Sequence, residues 1–188
     1  LTYDFYATEK GIDAALVATY SYMRWGAGNK ARYNMMTELG VDLFTEARDG
    51  KTRESFNRYE SGFMNPSLKV LYEFWENHYK AISTANIAIN QVEKSTELSE
   101  AKKELSLGEL HFLRAYFYFD LCRLFGTVPL LTTSEPENVP RATAEELYAQ
   151  IAFDLKTAIE KLPSVKYSAA NNSELGRATK WAAEALLA

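Results

Sequence analysis

Between Leu68 and Phe125 two long stretches of apolar residues recur at steps of three and four, and only Ser95 to Ser99 separate them. That spacing puts a stripe along one side of a helix with 3.6 residues per turn. In the first stretch the recurring residues are Leu68, Leu71, Tyr72, Trp75, Tyr79, Ile82, Ala85, Ile89 and Val92. As a single helix, at 1.5 Å per residue, it is roughly 38 Å long. In the second, Leu105, Phe112, Ala115, Phe119, Cys122 and Phe125 form the stripe, Tyr116 and Leu124 widen it, and Arg114 and Asp120 project elsewhere. So short a break between two long helices favours an antiparallel hairpin.

The end of this pair, GELHFLRAYFYFDLCRLFGTVPLL from Gly108, is apolar enough to raise the question of a membrane span. Glu109, Arg114, Asp120 and Arg123 interrupt it, whereas a spanning helix needs about 20 largely uncharged apolar residues. It reads instead as a broadly buried helix of a soluble protein. Gly126 is placed to stop that helix, because glycine adopts positive φ at no steric cost, and Pro129 keeps VPLL extended.

Shorter helical patterns flank the pair. Thr8 is a candidate cap for a helix carrying Ile12, Ala15, Leu16, Thr19 and Met23, ending near Gly26 to Gly28. A weaker segment from Lys30 to Leu43 carries Tyr33, Met36, Leu39 and Leu43. From Phe44 to Pro66 the chain is polar and reads as a long loop. Thr143 and Glu146 make an S/T-x-x-E capping box for a helix with Leu147, Ile151, Leu155, Ala158 and Leu162, closed by Pro163. After a second polar loop a last helix begins near Thr179, with Trp181, Ala182, Ala185 and Leu186 as its apolar face. Its pattern is unfinished at Ala188, and the natural protein is expected to continue. Six helices in consecutive pairs predict an all-α, tetratricopeptide-like helical repeat array, an alpha-alpha superhelix with long loops.

Composition narrows the function. With 188 residues, 47% hydrophobic and 24% charged, the chain can bury a sizeable core and is an ordinary globular one. A formal charge of −4, with basic residues scattered among acids, gives no reason to expect nucleic acid. Cys122 stands alone, so neither a disulfide nor a multi-cysteine metal site is expected, and its apolar neighbours suit a small buried hydrophobe. No cofactor or metal site is expected elsewhere. Gly26, Gly28 and Ala31 match G-x-G-x-x-[GA] but follow a helix rather than a strand, so a helix stop explains them better than a dinucleotide loop. Neither His78 nor His111 belongs to a zinc motif, and both read as structural or surface residues. The carboxylate pairs Glu73/Glu76 and Glu145/Glu146 read as solvated helix faces rather than a hydrolytic pair held across a cleft. Asn171-Asn172-Ser173 fits a glycosylation acceptor, a triplet that often arises by chance.

Aromatic residues make up 13% of the chain, and most fall on the helical stripes. The exceptions are Trp25 beside the Gly26 turn and Phe56, Tyr59 and Phe63 in the long loop, with Asp42, Arg48, Asp49, Arg53 and Arg58 before or among them. Aromatic faces flanked by hydrogen-bonding groups suit ring-shaped polar ligands such as sugars, and loops on a rigid scaffold often carry binding. Trp25, Asp42, Arg48, Asp49, Arg53, Phe56 and Tyr59 are therefore the candidate ligand-binding residues. For any one of them, a loop packing its own aromatics is the plainer explanation.

Four stretches, in order, resemble the SusD/RagB family of outer-membrane nutrient-binding lipoproteins: WENHYKAISTANIAI from Trp75, GELHFLRAYFYFDLCRLFGTVPLL from Gly108, VPRATAEELYAQIAFDLKTAIEKLP from Val139 and GRATKWAAEALLA from Gly176. The resemblance implies that residues 1–188 form the family's N-terminal helical domain, truncated at its C-terminal end. It also implies a non-catalytic role in glycan uptake: a surface-exposed outer-membrane lipoprotein, anchored by an acylated Cys outside this chain, that captures oligosaccharides or peptides. The implied partner is a SusC-like TonB-dependent transporter, to which the ligand is delivered. The chain departs from the family pattern in lacking that Cys and everything beyond Ala188. Beside this frame, Arg114, Asp120, Arg141 and Arg177 are expected to be structural, tying loops to helix ends through charge-assisted hydrogen bonds. The alternative function is a helical-repeat adaptor that binds a peptide or protein segment in its concave surface.

Overall fold

The computed structural model describes residues 8–28, 36–38, 40–41, 68–134, 138–164 and 176–188. Within them lie five helices: α1 (Glu9–Gly28), α2 (Lys69–Lys94), α3 (Glu100–Phe125), α4 (Ala144–Lys161) and α5 (Lys180–Leu187). The fold is all-α, and among the described residues the β-type pairing is an isolated antiparallel bridge between Pro129 and Arg141. None of the described helices is long and apolar enough to cross a membrane.

Side-chain oxygens set the helix starts, at Thr8 and Thr143 as expected and also at Ser99 and Thr179. Thr8 Oγ1 accepts from Gly11 N at 3.1 Å, Ser99 Oγ from Lys102 N at 3.3 Å and Thr179 Oγ1 from Ala182 N at 3.2 Å. Each satisfies an amide that has no partner inside its own helix. At α4 the full box forms: Thr143 Oγ1 accepts from Glu146 N at 3.2 Å, and Glu146 Oε2 accepts from Thr143 N at 2.8 Å. The Thr143 N–H, and then its hydroxyl at 2.9 Å, donate to Glu146 Oε2 and hold the exposed Glu146 carboxyl below the usual carboxylate range. Between α2 and α3, Ser95 Oγ accepts from both Glu97 N and Leu98 N at 3.3 Å, which shapes the short break. Gly126 ends α3 at φ 70°, the positive value expected of it, and its N–H returns to Cys122 O at 3.0 Å.

The chain divides into two compact units, Leu1–Tyr20 with Tyr79–Ala188, and Ser21–His78. In the larger unit, Ile12, Ala15 and Leu16 of α1, Ala85, Ala88, Ile89 and Val92 of α2, and Leu98 and Leu110 form one apolar core. α3 packs along α4, and α4 against α5. In the smaller unit, Met36, Leu68 and Leu71 pack on Val70, and the Phe74 and His78 rings stack with centroids 3.7 Å apart. Of the weaker segment expected over 30–43, Met36 and Thr37 are helical, and the rest of it falls largely outside the described residues, as do the loop expected over 44–66 and the Asn171 acceptor triplet.

Two expected stripes are corrected. In the first half of α2 the buried line is Val70, Phe74 and His78, and Tyr72 is 60% exposed. Tyr72 can face water because its hydroxyl reaches solvent and approaches Glu76 Oε1 at 3.4 Å, whereas Val70 and Phe74 have no polar tip to present. Glu73 and Glu76 are correspondingly half-buried rather than on a fully solvated face. In α3 the deepest residues are Leu110, Leu113, Phe117, Tyr118 and Leu121, while Tyr116, Phe119 and Phe125 are half-buried. Arg114 and Asp120 do not project away; both are buried. The reason is that α3 is enclosed on several sides, by the α1–α2 core at Leu110, by the end of α4 at Gly108 and by the segment after Gly126 at Tyr118. Cys122 is buried as expected, and burial pushes its thiol up, as suits a packed apolar side chain.

Candidate functional site

Of the seven candidate ligand-binding residues, Trp25 has its backbone in the last turns of α1. Asp42, Arg48, Asp49, Arg53, Phe56 and Tyr59 lie outside the described residues. What the described residues of the larger unit bring together is a polar framework built from charged groups in core positions.

Its centre is Asp154 on α4, fully buried. Arg114 of α3 meets it as a fork: Nε donates to Oδ2 at 2.8 Å and NH2 to Oδ1 at 2.6 Å. Gln150, one turn before Asp154, donates to Oδ1 at 3.1 Å. His111, one turn before Arg114, places Nδ1 at 2.7 Å from Oδ1. An ionised carboxylate only accepts, so that contact puts the hydrogen on His111 Nδ1. Burial works to raise the Asp154 carboxyl, but the hydrogen bonds and charge of Arg114 and His111 outweigh it and hold the group below its usual range. With four donors on two oxygens, Asp154 is equipped to fix geometry, not to exchange protons.

The same arginine reaches a third helix and a loop. Arg114 NH1 donates to Asn86 Oδ1 of α2 at 2.8 Å and lies 3.5 Å from Thr132 O. Asn86 Nδ2 donates to Leu131 O at 2.9 Å, and Asn90 Nδ2 to Ser134 Oγ at 3.2 Å. Tyr118 gives its hydroxyl hydrogen to Leu131 O at 2.8 Å and accepts from Leu131 N at 2.7 Å; Tyr79 donates to Pro129 O at 2.7 Å. The segment leaving α3 is thus strapped to α2 and α3 by side chains, and within the segment Ala142 N donates to Val128 O at 3.0 Å. Burial raises both tyrosine hydroxyls well above their ordinary range.

A second clamp joins α1, α3 and the approach to α5. Glu109 is fully buried on α3. Its Oε1 accepts from Arg177 NH1 at 2.7 Å and its Oε2 from Tyr20 OH at 2.6 Å. The Tyr20 oxygen in turn accepts from Ala178 N at 2.9 Å. Burial first, then the Glu109 charge, pushes the Tyr20 hydroxyl far above its ordinary range.

Arg114 and Arg177 therefore tie loops to helices as expected. Arg141 differs from the expectation: its side chain is exposed, and its backbone bridges to Pro129 within the segment between α3 and α4 rather than to a helix. Sequence reading missed the partners: Asp154, Glu109, Asn86 and Tyr20. A signal for Asp154 was present, because it stands seven residues after Leu147 and three after Ile151, on the apolar stripe of α4. Asn86 likewise stands four after Ile82 and three before Ile89. A polar residue in core register implies a buried partner.

A curated SusD-like protein of Bacteroides ovatus is 33% identical over 191 residues, covering 98% of this chain and 32% of that protein. Among solved structures, a laminarin binding SusD-like protein superposes with a TM-score of 0.79 at 27% identity, covering 96% of this chain and 39% of that one. Surface glycan-binding protein A from Bacteroides uniformis gives a TM-score of 0.79 at 25% identity, covering 96% and 41%. The chain spans about a third of the length of the curated relatives it matches. Residues 17–188 match the SusD-like family model described as "Starch-binding associating with outer membrane", and the chain, carrying that family's tetratricopeptide-like helical fold, belongs to the SusD/RagB family.

Proposed function

We propose that residues 1–188 are the N-terminal helical part of a surface-exposed outer-membrane lipoprotein that captures oligosaccharides and delivers them to a SusC-like TonB-dependent transporter. The observation that carries this reading is the family match over residues 17–188, described as starch-binding. It is supported by the likeness to two solved proteins whose names record laminarin and surface glycan binding. In this reading no bond is made or broken. Affinity comes from aromatic stacking and hydrogen bonds at Trp25, Asp42, Arg48, Asp49, Arg53, Phe56 and Tyr59, and the clamps at Asp154 and Glu109 hold the helices of the larger unit together.

The test is glycan-array binding by the full-length protein, with Trp25→Ala and Tyr59→Ala variants beside it. Binding to one glycan class, weakened by either substitution, is the expected result. Absence of binding to every glycan overturns oligosaccharide capture in favour of peptide cargo or a transporter-facing role. Turnover of a glycan on incubation overturns the non-catalytic reading.

A further inference from the structure

We draw no further inference here: the strongest candidate, the surface patch around the exposed Trp181 on α5, is an unpartnered apolar face and nothing in the structure shows what covers it.

Discussion

Arg114 lies fork to fork on Asp154, with Nε 2.8 Å from Oδ2 and NH2 2.6 Å from Oδ1, and both side chains are almost wholly withdrawn from water. Removing either partner strands the other as an uncompensated buried charge. Arg114→Ala and Asp154→Ala are each expected to cost about 3–5 kcal/mol in denaturant unfolding. The double variant is expected to cost clearly less than the sum, because one interaction is lost twice in the singles. Arg114→Lys keeps the charge but not the planar fork, so it should recover only part of the loss. An Arg114→Ala protein as stable as the parent would remove Asp154 from the centre of the framework.

Acid should act through the same carboxylate. Its pKa in the folded protein lies below the ordinary value, so the folded state binds fewer protons than the unfolded chain near pH 4. Stability from this group is therefore fully present above the unfolded value of about 3.9 and is lost as pH falls toward the folded one. Urea midpoints taken from pH 6 downward should drop below about pH 4 in the parent. In Asp154→Asn, which has no carboxylate there to protonate, that drop should be shallower. Equal slopes for the two proteins would mean that other carboxylates dominate.

The opposite sign holds for three tyrosines. Tyr20, Tyr79 and Tyr118 all have hydroxyls raised by burial, and each donates to an acceptor that ionisation would turn into a repulsive neighbour. Stability from these groups is present below the unfolded value of about 10 and is lost as pH rises beyond it. In an ultraviolet titration of the native protein these three of the 12 tyrosines should stay un-ionised until the helices unfold. Tyr20→Phe, Tyr79→Phe and Tyr118→Phe should each remove one late-titrating group. A single smooth titration of all tyrosines near pH 10, with helical content intact, would contradict the burial of these hydroxyls.

Helix existence and cap chemistry were legible because they are local. The expected caps Thr8 and Thr143 act within three residues of themselves, so a short window of sequence holds the whole cause, and the same holds for Ser99 and Thr179, whose capping the structure added. The α3 stripe was less legible because a helix enclosed on several sides carries little contrast between faces, and charged residues such as Arg114 and Glu109 sit inside. Their partners are 40 and 68 residues away in Asp154 and Arg177, a separation that periodicity does not register. The candidate ligand residues came from aromatics off the helical stripes and the charged residues before or among them, a signal that names a residue without giving its neighbours.

Gly108 offers a test of packing rather than charge. A Cβ built there would stand 3.0 Å from Leu162 Cγ and 3.1 Å from both Leu162 Cδ2 and Lys161 Cβ, where the end of α4 meets α3. Helix propensity alone predicts that Gly108→Ala stabilises α3 by roughly 0.8–1 kcal/mol. Overpacking opposes it by about 1–3 kcal/mol, because Lys161 Cβ is fixed to the backbone and moves only if α4 moves. The net effect is therefore expected to be destabilising by about 1 kcal/mol, and larger for the branched Gly108→Val. In a Leu162→Ala background two of the three close contacts disappear while the propensity gain remains, so the penalty of Gly108→Ala should shrink or reverse. A stabilising Gly108→Ala in the parent would mean that the two helices are not held this close.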